Sequence, residues 1–180
     1  HNPSGITTGQ AHREKLLRIC EKYRVPLVED GFEEEMKYFG KAVPPIKSMD
    51  RLGVVIYLGT FSKVLFPGLR IGWIAAHPAC IKRLEPIQRA LILSGNLVDQ
   101  AALERFCDRG YYDLHLKRMH RIYRKRMKTA LMAMKTHLDP ALAQWTEPSG
   151  GYTIWVRLKQ TDLDESKLVA RLLEHGVLVL

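Results

Sequence analysis

Apolar residues recur along this chain with two periods. In "TTGQAHREKLLRICEKYR" the residues Leu16, Cys20 and Tyr23 fall at helical spacing. Thr7 followed by Gln10 has the form of a capping box at the start of that helix. "VPLVED", "GVVIYLGT" and "IGWIAA" are short apolar runs of strand length, the second rich in β-branched residues. A helix followed by uniformly apolar strands predicts an α/β sheet with both faces covered. From Ala79 the pattern turns helical through "ACIKRLEPIQRALIL", "NLVDQAALERFCDRG" and a long segment ending near His137, with Gly110 placed as a C′ glycine. Leu116, Met119, Ile122 or Tyr123, and Met127 mark the inner face of the last of these helices. "YTIWVRL" then predicts a strand, Asp164 opens a helix that Gly176 stops, and "VLVL" begins another strand. A change of domain is expected in the helical region between Glu85 and Lys128.

Composition narrows the class. The chain has 180 residues, 46% hydrophobic and 26% charged, as in an ordinary globular protein able to bury a core. It carries no apolar run of about 18 residues and no basic-then-apolar leader. The lack of an initial Met and the ending within an apolar run suggest an excerpt of a longer protein. Cys20, Cys80 and Cys107 have no metal-ligand spacing, so the expectation is reduced thiols in a cytoplasmic protein, with no metal site. The net charge of +9 is concentrated in "YYDLHLKRMHRIYRKRMK". Its helical apolar spacing makes that segment an amphipathic helix with a solvated basic face. The aromatic interleaving of a single-strand binder is thin, so the chain is not read as binding nucleic acid directly.

Three polar residues share one structural address. Asp30 ends "VPLVED", Lys63 follows "GVVIYLGT", and Asn2 lies in a turn before a helix. In open α/β sheets ligands bind beyond the carboxyl ends of the strands, so the three can converge on one crevice. A partly desolvated lysine can form a Schiff base with an aldehyde. An aspartate facing a pyridine nitrogen keeps that nitrogen protonated, making the ring an electron sink. Thr60, Ser62 and nearby N–H groups can hold a phosphate, with Arg70 adding a charge-assisted contact after the turn at Pro67 and Gly68.

The motifs "HNPSG", "VEDGF" and "GTFSKVLFPGLRIGW", in this order and spacing, resemble the fold-type I aminotransferases that use pyridoxal 5′-phosphate (PLP). "GYYDLHLKRMHRIYRKRM" and "PSGGYTIWV" look like later segments of the same family. The wording is closest to the aminotransferase-like domains of MocR-type (GntR-family) transcription regulators and to aminoadipate-type aminotransferases. The resemblance implies an α/β fold made of part of the large-domain sheet of a PLP transferase and a small C-terminal α+β domain. Residues 1–85 would be the C-terminal half of the PLP-binding domain, 86–130 a helical connection, and 131–180 part of the small domain. It implies that Lys63 is the catalytic, Schiff-base lysine, that Asp30 pairs with the pyridine nitrogen and that Asn2 bonds the ring oxygen. Thr60, Ser62 and Arg70 would bind the phosphate. The substrates would be an amino acid and a 2-oxo acid, and the intact protein a homodimer. Phe32 stands where the family often has a tyrosine, so that hydroxyl is missing or replaced from elsewhere. The family's phosphate loop, stacking aromatic ring and substrate-clamping arginine fall outside these residues, so the excerpt alone is expected to bind PLP weakly and to be inactive. The alternative is a PLP-binding, effector-sensing domain whose DNA contact is made by an upstream winged helix.

Overall fold

The computed structural model describes every residue except Thr161, Leu163 and Leu180. Helix α1 (Gln10–Tyr23) precedes three strands, β1 (Leu27–Asp30), β2 (Val55–Thr60) and β3 (Gly72–Ala75), in the order β1-β2-β3. β1 and β2 are parallel and β3 returns antiparallel, so the sheet is mixed. Three helices follow, α2 (Pro78–Ile92), α3 (Leu97–Asp108) and α4 (Tyr111–His137). A second, two-stranded sheet pairs β4 (Ala143–Trp145) with β5 (Val156–Leu158), and α5 (Glu165–Glu174) comes last. No helix among the described residues is long and apolar enough to cross a membrane.

The α/β reading holds, but the start of α1 differs from the capping-box expectation. Gly9 is the N-cap, and the Thr7 hydroxyl lies 3.2 Å from Ser149 Oγ instead of capping the helix. A side chain recruited by a residue 142 positions away is not free to satisfy a local N–H. The buried face of α1 is Leu17 and Cys20, with Leu16 beside them, whereas Tyr23 is 64% exposed in the last turn before a left-handed Arg24. Leu17, Ile46 and Val55 form one core on this side of the sheet. The opposite face is not fully covered: Val28 is 60% exposed. Thus β2 is mostly apolar and β1 opens apolar before ending in Glu29 and Asp30, yet the described residues cover only one face well.

The second core joins distant segments. Met36, Tyr38, Val64 and Met127 are buried together, with Leu116, Met119, Tyr123 and Tyr152 packed around them. The inner face of α4 is therefore the expected one. Its outer face carries Lys117, Arg118, Arg121, Lys125 and Lys128, all exposed. Gly110, at φ 72°, ends α3 and starts α4. Asp164 caps α5 by accepting from the N–H groups of Ser166 and Lys167.

Two expected strands are shorter or absent. Only Val156–Leu158 of "YTIWVRL" is strand, because its partner β4 has just three residues to pair with. Residues 177–179 of "VLVL" have no regular structure, and no strand edge among the described residues pairs with them; Leu180 lies outside the described residues.

Candidate active site

The candidate site is built where β1 and β2 end side by side. Their parallel register sets Asp30 opposite Leu58, and the Gly31 N–H donates to the Leu58 carbonyl at 2.9 Å. Parallel pairing carries both carboxyl ends to the same sheet edge, which the two separate apolar runs could not show. Asp30 is exposed there, and its Oδ1 accepts from the Phe32 N–H at 3.2 Å, an Asx turn that orients the carboxylate. Behind it, Tyr57 occupies the space that a side chain at residue 31 would need: a Cβ on Gly31 would lie 2.0 Å from Tyr57 Oη. Tyr57 stacks on Trp73 with centroids 5.0 Å apart and donates to Glu34 Oε2 at 2.5 Å.

At the end of β2 the chain makes a tight turn. Thr60 Oγ1 accepts from the Ser62 N–H at 3.1 Å and donates to the Ile71 carbonyl at 3.3 Å. The Leu65 N–H closes the turn on the Phe61 carbonyl at 2.8 Å. Lys63 sits at the tip of this turn with its side chain exposed, between half-buried Ser62 and buried Val64. Among the described residues its amine takes part in no ion pair. A short helical turn, Pro67–Leu69, then buries Leu69 and leaves Arg70 exposed in the left-handed region at φ 52°. The next residue, Ile71, is the one that binds Thr60, so Arg70 returns to the neighbourhood of Thr60 and Ser62.

Five of the six sequence-derived residues are thereby gathered by one sheet edge and one turn: Asp30, Thr60, Ser62, Lys63 and Arg70. Asn2 is exposed in the N-terminal turn, where the Gly5 N–H donates to the His1 carbonyl at 2.8 Å, and no hydrogen bond joins it to the other five among the described residues. A cavity of about 580 Å³ opens next to this edge, lined by Asp30, Phe32, Glu33 and His1 among others; Lys63 and Arg70 are not among its lining residues.

Several residues at the site carried no signal in the sequence. Glu33 is half-buried, and burial raises its carboxyl pKa, while the nearby Lys63 charge pulls it back down. Gly151 leaves it room: a Cβ there would sit 2.7 Å from Glu33 Oε2. Tyr152 donates to the Lys63 carbonyl at 2.9 Å and His115 bonds the Val64 carbonyl at 2.8 Å. The run "EEE" after Phe32 and the tyrosine after "PSGG" were visible as residues. Their nearness to Lys63 was not, because it depends on contacts 30 to 89 positions apart.

The family model for aminotransferase class I and II matches residues 1–180. Aromatic-amino-acid aminotransferase 1 of Thermococcus litoralis is 37% identical over 176 residues, covering 98% of this chain and 42% of that protein. The uncharacterized HTH-type transcriptional regulator YdfD of Bacillus subtilis is 32% identical over 180 residues, covering 99% of this chain and 37% of the regulator. The structure of Pyrococcus horikoshii kynurenine aminotransferase, solved in complex with PMP, superposes with a TM-score of 0.93 at 35% identity, covering all of this chain and 44% of that one. The chain thus spans about two-fifths of the length of the relatives it matches.

Proposed function

Because this chain belongs to the aminotransferase class I and II family, we propose that it is the lysine-bearing part of a PLP-dependent aminotransferase that moves an amino group from an amino acid to a 2-oxo acid. The observation that carries the reading is the shared edge. An exposed carboxylate at the end of β1 and an exposed amine, in no ion pair among the described residues, in the turn after β2 are held there by parallel register and a closed turn. The donor set fits the cofactor: one carboxylate, one amine, a serine hydroxyl and a guanidinium. The kynurenine aminotransferase relative was solved with PMP.

Each residue has a physical task in this reading. Asp30, oriented by its own turn, holds the proton on a pyridine nitrogen because opposite charge favours the cationic form. Ser62 and Arg70 donate to the phosphate. Thr60 spends its own proton on Ile71 and serves by holding the turn that presents Ser62. Asn2 donates to the ring oxygen. Lys63 would hold the cofactor through its amine, and the same amine would take the proton from the substrate α-carbon. Glu33 is a half-buried carboxylate whose own pKa burial raises and the nearby Lys63 charge lowers. Bound there, PLP supplies a conjugated, protonated ring that accepts the electron pair the departing α-proton leaves behind.

The expected division is 1–85 in the cofactor-binding domain, 86–130 as the helical connection and 131–180 in a smaller domain; the two separate sheets support it. The whole protein is proposed to be a cytoplasmic homodimer, in keeping with three thiols that are free in the structure.

A second reading is favoured by the 32% identity to the regulator YdfD over 180 residues. In it the same residues hold PLP and sense an amino-acid effector, and the whole protein carries an upstream winged helix that contacts DNA. Borohydride trapping of the whole protein tests both: the cofactor is expected on Lys63, and Lys63→Ala should lose both the trapped adduct and the visible absorbance. Unchanged absorbance in that variant would sink the assignment. Multiple-turnover transamination with a panel of amino acids separates enzyme from sensor.

A further inference from the structure

We propose that His115 and Tyr152 are positioning residues for Lys63, clamping the two successive carbonyls that follow its α-carbon. The proposal rests on the reading of Lys63 as the cofactor lysine. The amine of a lysine is separated from the backbone by four rotatable bonds, so its placement begins with a fixed backbone. The turn from Phe61 to Leu65 has one closing hydrogen bond of its own, Leu65 N–H to the Phe61 carbonyl. Two further anchors come from far along the chain. Tyr152 Oη donates to the Lys63 carbonyl at 2.9 Å, and His115 Nε2 lies 2.8 Å from the Val64 carbonyl. A carbonyl can only accept, so His115 carries its proton on Nε2.

Both anchors are themselves held. The Tyr152 ring packs edge-on against Tyr123 of α4 at 4.8 Å, which fixes the direction of its hydroxyl. Burial raises the pKa of that hydroxyl, so it remains a donor at neutral pH. His115 stands one helical turn after Tyr112, whose ring meets Phe61 edge-on at 5.6 Å. Positions three apart share a helix face, so α4 touches the turn at its first residue and at its fourth. Between the two clamped carbonyls, the Val64 side chain is 3% exposed in the core with Met36, Tyr38 and Met127. The backbone beyond Lys63 is therefore pinned by α4, by the segment before β5 and by the core, while the side chain itself is exposed.

The test uses the whole protein with Tyr152→Phe, His115→Leu and His115→Gln. Tyr152→Phe removes a single oxygen and keeps the ring packing. His115→Gln retains an N–H donor and serves as the conservative rescue. Two quantities are read: amide hydrogen exchange in residues 61–66, and the rate at which added PLP loads Lys63, followed by absorbance and borohydride trapping. Losing one hydrogen bond is expected to speed exchange in 61–66 and slow loading by about fivefold each in Tyr152→Phe and in His115→Leu. Exchange in β1 should not change, and His115→Gln should recover most of both effects. If PLP forms no adduct on Lys63 even in the unaltered protein, the aminotransferase reading falls and the positioning role falls with it. If the adduct forms but the exchange or the loading rate is unaltered in both Tyr152→Phe and His115→Leu, the positioning role alone is overturned.

Discussion

Asp50 is the side chain whose loss should travel furthest through this site. It lies at the entry to β2, the strand that delivers Lys63, and its side chain is fully buried at 0% exposure. Oδ1 accepts from the N–H groups of Gly53 at 2.8 Å and Val54 at 3.1 Å. Oδ2 accepts from the Val55 N–H at 2.9 Å and from Lys47 Nζ at 2.9 Å. Asp50→Asn preserves the shape and one acceptor oxygen, but turns the other end into an NH₂ group facing two donors. Hydrogen bonds to charged groups are worth about 1.5–3 kcal/mol each, so losing two, with partial relaxation, costs about 3 kcal/mol. That corresponds to roughly a hundredfold rise in the opening of β2, readable as amide exchange at Val55 to Leu58. A variant whose β2 exchange stays within about threefold of the unaltered protein would refute the reasoning. The same carboxylate sets a pH dependence. Burial pushes its pKa up, but the bonds from Val55, Lys47 and Val54 outweigh this and hold it below the ordinary carboxyl value. A depressed folded pKa means that the stabilisation is present above the unfolded value and is lost as pH falls through the folded one. Protection of β2 should therefore weaken in acid below the ordinary carboxyl range, and Asp50→Asn should remove that step.

Two further perturbations test the packing around the site. Gly31→Ala would drive a Cβ to within 2.0 Å of the Tyr57 hydroxyl, so the ring must leave its stack on Trp73 or its bond to Glu34, at a cost of about 2 kcal/mol. Thermal unfolding should show it, and in the pair Gly31→Ala with Tyr57→Ala the losses should be clearly less than additive; strict additivity would rule out the clash. Met36→Ala empties a site at 0% exposure between α4 and the lysine turn, with an expected loss of about 2–5 kcal/mol by urea denaturation. A loss below about 1 kcal/mol would mean that this core does not hold the turn.

What the sequence determined by itself was whatever depends on neighbours in the chain. β1 and β2 were legible from short apolar runs, the inner face of α4 from Leu116, Met119, Tyr123 and Met127, and the start of α5 from Asp164, whose carboxylate reaches N–H groups only two and three residues on. Asp30 and Lys63 were legible as polar residues ending apolar strands. Tertiary structure decided the rest, because the deciding partner lay elsewhere. Thr7 matched a cap locally, yet its hydroxyl was taken by Ser149. "YTIWVRL" and "VLVL" have strand composition, but a strand needs an edge to pair with, and the described residues offer one only to Val156–Leu158. Parallel register brought Asp30 and the lysine turn to one edge, and α4 brought His115 to the carbonyl beside Lys63. Hydrophobic periodicity is a local signal, whereas a hydrogen bond across 51 or 89 residues leaves no pattern in the chain until the fold closes it.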